Sequence, residues 1–162
     1  MCFNYISVVV CSFLIELYSF AQLGMKQDLS TNGKPMAKNN FNYCRTCYNH
    51  LAGSVGVAIA DAMEERGYLR KSETVYLVTK KGWAWFSQFD ISENDFKKSR
   101  RPLTRQCIDG TEHRPHLAGQ LGDELLEKML HRGWFEKIEN SRELKVTPEG
   151  RQALHNYLGM EP

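Results

Sequence analysis

Among the five cysteines and five histidines of this sequence, five side chains are spaced as candidate ligands for a zinc-like metal. They form a C-x-x-C-x-x-H run and a looser C-x₈-H pair, made up of Cys44, Cys47, His50, Cys107 and His116. Thiolate and neutral imidazole are the usual ligands of zinc, and four of them at tetrahedral angles close a structural or sensing site. The pattern predicts a site for zinc or another divalent metal, although the sequence alone makes no cofactor certain.

The same residues also allow interpretations without a metal. The two histidines could hydrogen-bond the starts of their helices while the cysteines pack as small apolar side chains, and this is the default interpretation. A different effector or a redox switch is a further alternative. Three polar residues nearby could add contacts to a small-molecule site: Asp109, Glu112 and His113.

A second group of candidate residues is basic. Five of them fall in one stretch and the sixth lies in a later predicted turn, the set being Lys97, Lys98, Arg100, Arg101, Arg105 and Arg142. Each could neutralise a DNA phosphate. The alternative is a solvated connector whose arginines pair with Glu93 and Asp95 and add little stability. The net charge of +2 does not by itself indicate nucleic acid, so a DNA-binding surface would have to be local.

Catalysis is not expected. The sequence has no phosphate-binding glycine loop, nucleophile elbow or paired-carboxylate pattern, so we expect neither an enzyme nor a small-molecule substrate. Four aromatic residues, Trp83, Trp85, Phe86 and Phe89, could stack on a ligand. They directly follow a predicted strand pair, however, and are more typical of core packing.

The candidate residues belong to a segment that occurs twice. The tetrapeptide His50–Gly53 (HLAG) recurs as His116–Gly119 at an offset of 66 residues, and Val78-Thr79 recurs as Val146-Thr147 at an offset of 68. Such self-similarity is typical of a duplicated structural unit, and the two extra residues fit a hairpin loop.

Each copy shows the pattern of a helix, a hairpin and a capped helix. Apolar residues at i+4 spacing predict one helix per copy: Leu51, Val55, Ile59 and Met63 in the first, Leu117, Leu121, Leu125 and Met129 in the second. Gly67 and Gly133 are suited to end these helices, and Thr79 and Thr147 to cap the next ones. We predict an α+β, helix-rich fold of two tandem winged-helix-like (helix–β-hairpin–helix) units.

The remaining segments complete the predicted organisation. Residues 43–90 would form the first unit, 91–106 a basic connector and 107–162 the second unit, after a polar linker over 25–42. Residues 1–24 are apolar, with Glu16 as the single charged side chain. A membrane span, a signal peptide and an intracellular helix or atypical start all remain open for them. We favour the last, and expect a cytoplasmic protein without membrane association.

Several motifs resemble one bacterial family. The run Cys44–Gly53 is similar to the R-x-C-Y-D-H-L-A-G segment of ArsR-type transcriptional regulators. Arg100-Arg101-Pro102, Cys107-Ile108-Asp109 and Glu112-x-Arg114-Pro115-His116-Leu117-Ala118-Gly119 resemble the C-L-D-W-S-E-R-R-P-H-L-A-G segment of that group. Ser141-Arg142 with Val146-Thr147-x-x-Gly150 resembles its closing wing and helix. The resemblance covers about residues 43–158.

The resemblance implies a DNA-binding transcriptional regulator, a repressor, that works as a homodimer and responds to a metal or small effector. Three departures from the pattern stand out. Gly110 replaces the usual tryptophan and His113 the usual arginine, and residues 1–42 do not resemble the family's N-terminal helix-turn-helix. We therefore expect the regulatory region of a transcriptional regulator. The alternative is an effector-binding or protein-interaction module of a truncated regulator without DNA affinity of its own.

Overall fold

The order of secondary-structure elements repeats along the chain. The computed structural model describes residues 41–96 and 100–162. The first copy contains β1 (Arg45–Cys47), β2 (His50–Ala52), α1 (Gly53–Glu65), β3 (Leu69–Ser72), β4 (Val75–Val78) and α2 (Lys80–Phe86). The second contains β5 (Arg105–Ile108), β6 (Pro115–Ala118), α3 (Gln120–His131), β7 (Phe135–Lys137), β8 (Leu144–Val146) and α4 (Pro148–Leu158). Two 3₁₀ turns, Ser87–Phe89 and Glu93–Phe96, follow α2. Consecutive strands pair as antiparallel two-stranded sheets, which confirms the predicted α+β class.

Some of the predicted segments lie outside the described residues. These are the apolar segment 1–24, the linker 25–42 apart from its last two residues, and Lys97 and Lys98 of the basic set. Among the helices that the structure does describe, none is long and apolar enough to span a bilayer. All described residues fall in one compact unit, and the division into 43–90, 91–106 and 107–162 stays a prediction.

The hairpin in front of each long helix was not predicted. Leu51 and Leu117, assigned above to helical stripes, lie in β2 and β6, so that part of the prediction is wrong. The stripes hold from the next position onward, and their members within α1 and α3 are buried. Strands of three and four residues are too short to show an alternating pattern. The leucine in each strand also continues the i+4 spacing of the helix that follows it in the sequence.

A glycine marks each change from strand to helix. Gly53 and Gly119 have left-handed φ angles of +79° and +87°. A Cβ atom would lie 2.7 Å from the Asn42 carbonyl oxygen at Gly53, and 2.8 Å from that of Leu103 at Gly119. This close approach lets the segment ahead of each hairpin accept hydrogen bonds from the first N–H groups of the helix, such as Ser54 N to Asn42 O at 3.1 Å.

The predicted helix ends and caps are confirmed. Gly67 and Gly133 follow the two long helices with positive φ angles. Thr79 Oγ1 accepts from Gly82 N at 2.9 Å, and Thr147 Oγ1 accepts from Gly150 N at 2.8 Å, so each threonine caps the helix behind it.

Removing the second cap gives a first testable prediction. The buried Thr147 hydroxyl also donates to the Gly133 carbonyl oxygen at 2.7 Å. We expect Thr147→Ala to lower the free energy of unfolding by about 1–2 kcal/mol, measured by urea denaturation. Thr147→Ser keeps the hydroxyl and should retain most of that stability. An equal loss in both variants would show that the methyl group, rather than the cap, matters.

The two copies exchange contacts. The turn of β3–β4 reaches β5, where Thr74 O accepts from Gln106 N, and the turn of β7–β8 reaches β1, where Arg142 O accepts from Thr46 N, both at 2.8 Å. In the same crossed manner, α1 packs on β6 and α3 on β2. Each copy therefore completes the other, and the structure is a two-fold arrangement within one chain.

An aromatic cluster forms the core beneath this arrangement. Phe89, fully buried, lies 4.7 Å from Trp85 of its own copy and 5.4 Å from both Trp134 and Tyr157 of the other, measured between ring centroids. The predicted core role of Trp85, Phe86 and Phe89 is confirmed. Trp83 is only partly buried, at the edge of the core.

Candidate functional site

Four of the five predicted donor residues meet at the boundary between the two copies. Each of Cys47, His50, Cys107 and His116 contributes one sulfur or nitrogen atom, and all four atoms lie within 4.8 Å of one another. The two imidazole rings are 5.1 Å apart between centroids. The cluster is the densest group of thiol and imidazole side chains in the part of the chain that the structure describes.

The two hairpins present their donors in the same way. Cys47 is the cross-strand partner of His50 in β1–β2, and Cys107 is the partner of His116 in β5–β6. Directly opposed residues of an antiparallel pair project on the same face with their Cβ atoms about 5 Å apart. The first hairpin closes with a two-residue turn that begins at Tyr48, whose φ is +53°. The second hairpin has a longer loop. The C-x₂-H spacing of the first hairpin and the C-x₈-H spacing of the second therefore both give a cross-strand pair of one cysteine and one histidine.

Cys44 is not part of this cluster, and its inclusion among the candidate ligands is corrected here. Its side chain is completely buried in the hydrophobic core, and burial raises the pKa of the thiol to about 12. An odd spacing of three residues along extended backbone places Cys44 and Cys47 on opposite faces, which explains why only Cys47 reaches the other hairpin.

The histidines are buried and incompletely hydrogen-bonded. His116 is 1% exposed and His50 7%. Neither ring nitrogen of His116, nor Nε2 of His50, has a hydrogen-bond partner among the described residues. The interpretation in which both histidines hydrogen-bond the starts of their helices is therefore wrong for His116. Burial lowers the pKa of both imidazoles, that of His116 to about 4, so they are neutral at pH 7.

A carboxylate faces the Nδ1 side of each imidazole. Asp123 Oδ1 lies 3.6 Å from His50 Nδ1, and Asp109 Oδ2 lies 3.7 Å from His116 Nδ1. Nε2 has no hydrogen-bond partner in either histidine, and in His116 Nδ1 lacks one as well, because its 3.7 Å contact with Asp109 is longer than a hydrogen bond. Each histidine thus has one nitrogen directed to an acid and the other available to a ligand.

Asp109 is the centre of a buried polar network. Nη2 of Arg45 donates to both carboxylate oxygens, at 2.7 and 2.9 Å, and Gly53 N donates to Oδ2 at 2.8 Å. Burial by itself would raise the pKa of Asp109, but the N–H groups of Thr111 and Gly53 outweigh it and hold the pKa well below its usual range. The ionised carboxylate therefore connects the start of α1 to His116.

Burial shifts the pKa of the Cys107 thiol in the opposite direction to the pKa of the two imidazoles. Burial, and next the neighbouring Cys47, raise the pKa of the Cys107 thiol to about 11. Without a bound cation, Cys107 is therefore protonated at neutral pH and a weak nucleophile. A reactive cysteine would need the opposite shift, which argues against nucleophilic chemistry here.

Sequence reasoning missed Arg45 and Asp123. Asp123 occupies the position that the apolar Val57 has in the first copy, at the offset of 66. A charged residue where the other copy has a buried valine was a usable signal. Asp109 was noted only as a possible contact to a small molecule, and its pairing with Arg45 across 64 residues has no local signature.

The predicted basic residues are spread over the surface. Arg100, Arg101, Arg105 and Arg142 are exposed, whereas Lys97 and Lys98 lie outside the described residues. Arg101 pairs with Asp123 at 2.6 Å rather than with Glu93 or Asp95. Arg142 lies in the turn of the second hairpin, as predicted, and its guanidinium stacks over Phe41, 5.0 Å from the ring centroid.

Comparison with known proteins gives one informative match. No family model matches the chain, and no solved structure matches it. A protein of Bacillus subtilis (strain 168) with the name "Uncharacterized HTH-type transcriptional regulator YdfF" is 36% identical over 124 residues. The match covers 76% of this chain and 55% of the Bacillus protein. The chain thus spans about half the length of this curated relative, and over most of its own length it is similar to a protein named as a transcriptional regulator.

Proposed function

We propose that the chain is the regulatory region of an ArsR-type transcriptional regulator, cytoplasmic and homodimeric, that acts on DNA directly or through a helix-turn-helix partner. The observation that carries the proposal is the 36% identity to a protein named as an HTH-type regulator. The two helix–hairpin–helix units, α1 to α2 and α3 to α4, support it because that order is found in the back half of winged helices.

The DNA-contacting surface would be asymmetric. The turn of the second hairpin carries Arg142, whereas the equivalent turn of the first carries Glu73 and Thr74. The second turn also contains Glu139 and Glu143, but Arg142 gives it a basic side chain that the first turn lacks, so the β7–β8 hairpin is better suited to act as a wing. The backbone of both turns is already bonded to the other copy, which leaves side chains, rather than main-chain groups, to contact DNA.

One set of contacts favours the second candidate function, an effector-binding or protein-interaction module without DNA affinity. Arg101 is paired with Asp123, and Arg142 is stacked over Phe41. A phosphate would have to compete with these intramolecular partners. In this alternative the DNA is bound entirely by another segment or another protein.

A salt-dependent gel shift on duplex DNA separates the two. If the described arginines contact three phosphates, the logarithm of the binding constant should fall with the logarithm of salt concentration with a slope of about −3. The double variant Arg100→Glu/Arg142→Glu should then lose binding. Arg70→Glu is the matched control, because Arg70 is an exposed arginine of the other hairpin.

The outcomes are distinct. Binding that is lost in the double variant and kept in Arg70→Glu supports direct DNA contact. Equal losses in both would mean that only net charge matters. No shift at low salt would favour the module without DNA affinity.

A further inference from the structure

We propose that Cys47, His50, Cys107 and His116 form a tetrahedral zinc site that joins the two copies of the repeat. The two hairpins contribute one thiolate and one imidazole each, so neither copy can form the site alone. The proposal goes beyond the regulatory function and does not depend on DNA binding. It rests on three features of the described residues: the donor geometry, the unpaired imidazole nitrogens and the acids behind them.

The donor atoms are nearly at the separations that zinc requires. With bonds of about 2.3 Å to sulfur and about 2.0–2.1 Å to nitrogen, the ligand atoms of a tetrahedral zinc site lie roughly 3.3–3.8 Å apart. The four donors here are within 4.8 Å of one another. The site therefore has to contract by about 1.5 Å at most, which side-chain rotation can supply.

The unpaired imidazole nitrogens of His50 and His116 are available to bind a ligand. A buried imidazole nitrogen without a hydrogen bond costs free energy, and such groups in folded proteins normally have an explanation. Nε2 of both histidines lacks a partner among the described residues, although His50 and His116 come from different hairpins. A metal ion placed between the four donors would satisfy both nitrogens at once.

The acids complete the pattern of a zinc site. Ligating histidines usually direct their second nitrogen to a carboxylate, which fixes the ring and makes it a better donor. Asp123 and Asp109 lie 3.6 and 3.7 Å from the Nδ1 atoms of His50 and His116. In each copy an acid therefore lies on the Nδ1 side of the histidine, which leaves the unpaired Nε2 as the proposed ligand atom.

The chemistry of the donors selects the metal. Two sulfur and two nitrogen atoms suit Zn²⁺, whereas Mg²⁺ and Ca²⁺ require oxygen ligands. Because zinc binds cysteine as the thiolate, loading should release protons and become tighter as pH rises. Bound zinc would hold β1–β2 against β5–β6, so the ion would link the arrangement of the two copies to metal supply.

Metal analysis of the full chain tests the proposal directly. Protein stripped with a chelator under reducing conditions should take up about one Zn²⁺ per chain and no Mg²⁺ after desalting. Co²⁺ should give the ligand-field absorption of tetrahedral cobalt together with a sulfur-to-cobalt charge-transfer band, and Zn²⁺ should abolish both. Cys47→Ser and Cys107→Ser should each remove the zinc.

Two further variants make the test specific. Cys44→Ala removes a thiol that lies outside the cluster and should keep full zinc content. Asp123→Asn removes the charge behind His50, together with the ion pair to Arg101, and should weaken zinc binding by about 10–100-fold. An unchanged circular dichroism spectrum of the variant checks that it is folded.

Zinc content near zero in the wild-type chain would overturn the proposal. So would unchanged zinc in Cys47→Ser, since the ion would then be held elsewhere. Recovery of a Cys47–Cys107 disulfide from reducing buffer, in place of metal, would also contradict it and assign the thiols to redox chemistry.

Discussion

Replacing Asp109 by alanine is expected to lower the free energy of unfolding by about 3–5 kcal/mol, a large share of the stability of an ordinary domain. The change leaves the guanidinium of Arg45, only 6% exposed, without its carboxylate partner in a buried site. It also leaves Gly53 N, at the start of α1, without its acceptor. Urea denaturation monitored by circular dichroism measures the loss.

An exposed ion pair provides the matched control. Lys145 and Glu136 lie 3.0 Å apart, and their side chains are 49% and 59% exposed. Glu136→Ala should change the stability by less than about 1 kcal/mol. If Asp109→Ala costs no more than this control, the buried network does not stabilise the fold. The double variant Arg45→Met/Asp109→Leu should recover part of the loss, because it removes both charges together.

Phe89→Ala is expected to cost about 3–5 kcal/mol, the range for removing a buried phenylalanine side chain. The ring is fully buried and touches Trp85 of its own copy and Trp134 and Tyr157 of the other. Because the crossed hydrogen bonds between the copies remain, we expect the variant still to unfold in a single transition, seen at the same urea concentration by tryptophan fluorescence and by circular dichroism.

Ile108→Ala is the comparison variant, since that side chain is 63% exposed and should change stability by no more than about 0.5 kcal/mol. Two separate transitions in Phe89→Ala would show that this ring, and not the crossed hydrogen bonds, couples the two halves. A loss as small as that of Ile108→Ala would mean that the cavity closes without penalty.

The parts of the fold that sequence could predict are those with local signals. The stripe Val55–Met63, the glycine that ends each helix and the Thr-Pro cap at Thr147 each depend on residues a few positions apart. The duplication itself is visible because it repeats residue types at a constant offset. These features predicted the order of the helices and the hairpin that follows each long helix, but not the hairpin in front of it.

The site required information that local patterns do not carry. The pairing of Cys107 with His116 depends on the register of a hairpin whose strands have only four residues each. The pair of Arg45 and Asp109 joins residues 64 positions apart. Donor types therefore predicted which residues could bind a metal, but only the crossed packing of the copies showed that Cys44 is excluded and Asp123 included.

The crossed hydrogen bonds, from Gln106 N to Thr74 O and from Thr46 N to Arg142 O, have a consequence for how such a molecule could arise. A polypeptide with one copy of the repeat could form these bonds only with an identical neighbour, as an ordinary symmetric pair of subunits. The present chain has the arrangement expected of a covalent fusion of such a pair. After such a fusion the sequences of the two halves can diverge. Val57 in the first half corresponds to Asp123 in the second, a difference that two identical subunits could never acquire.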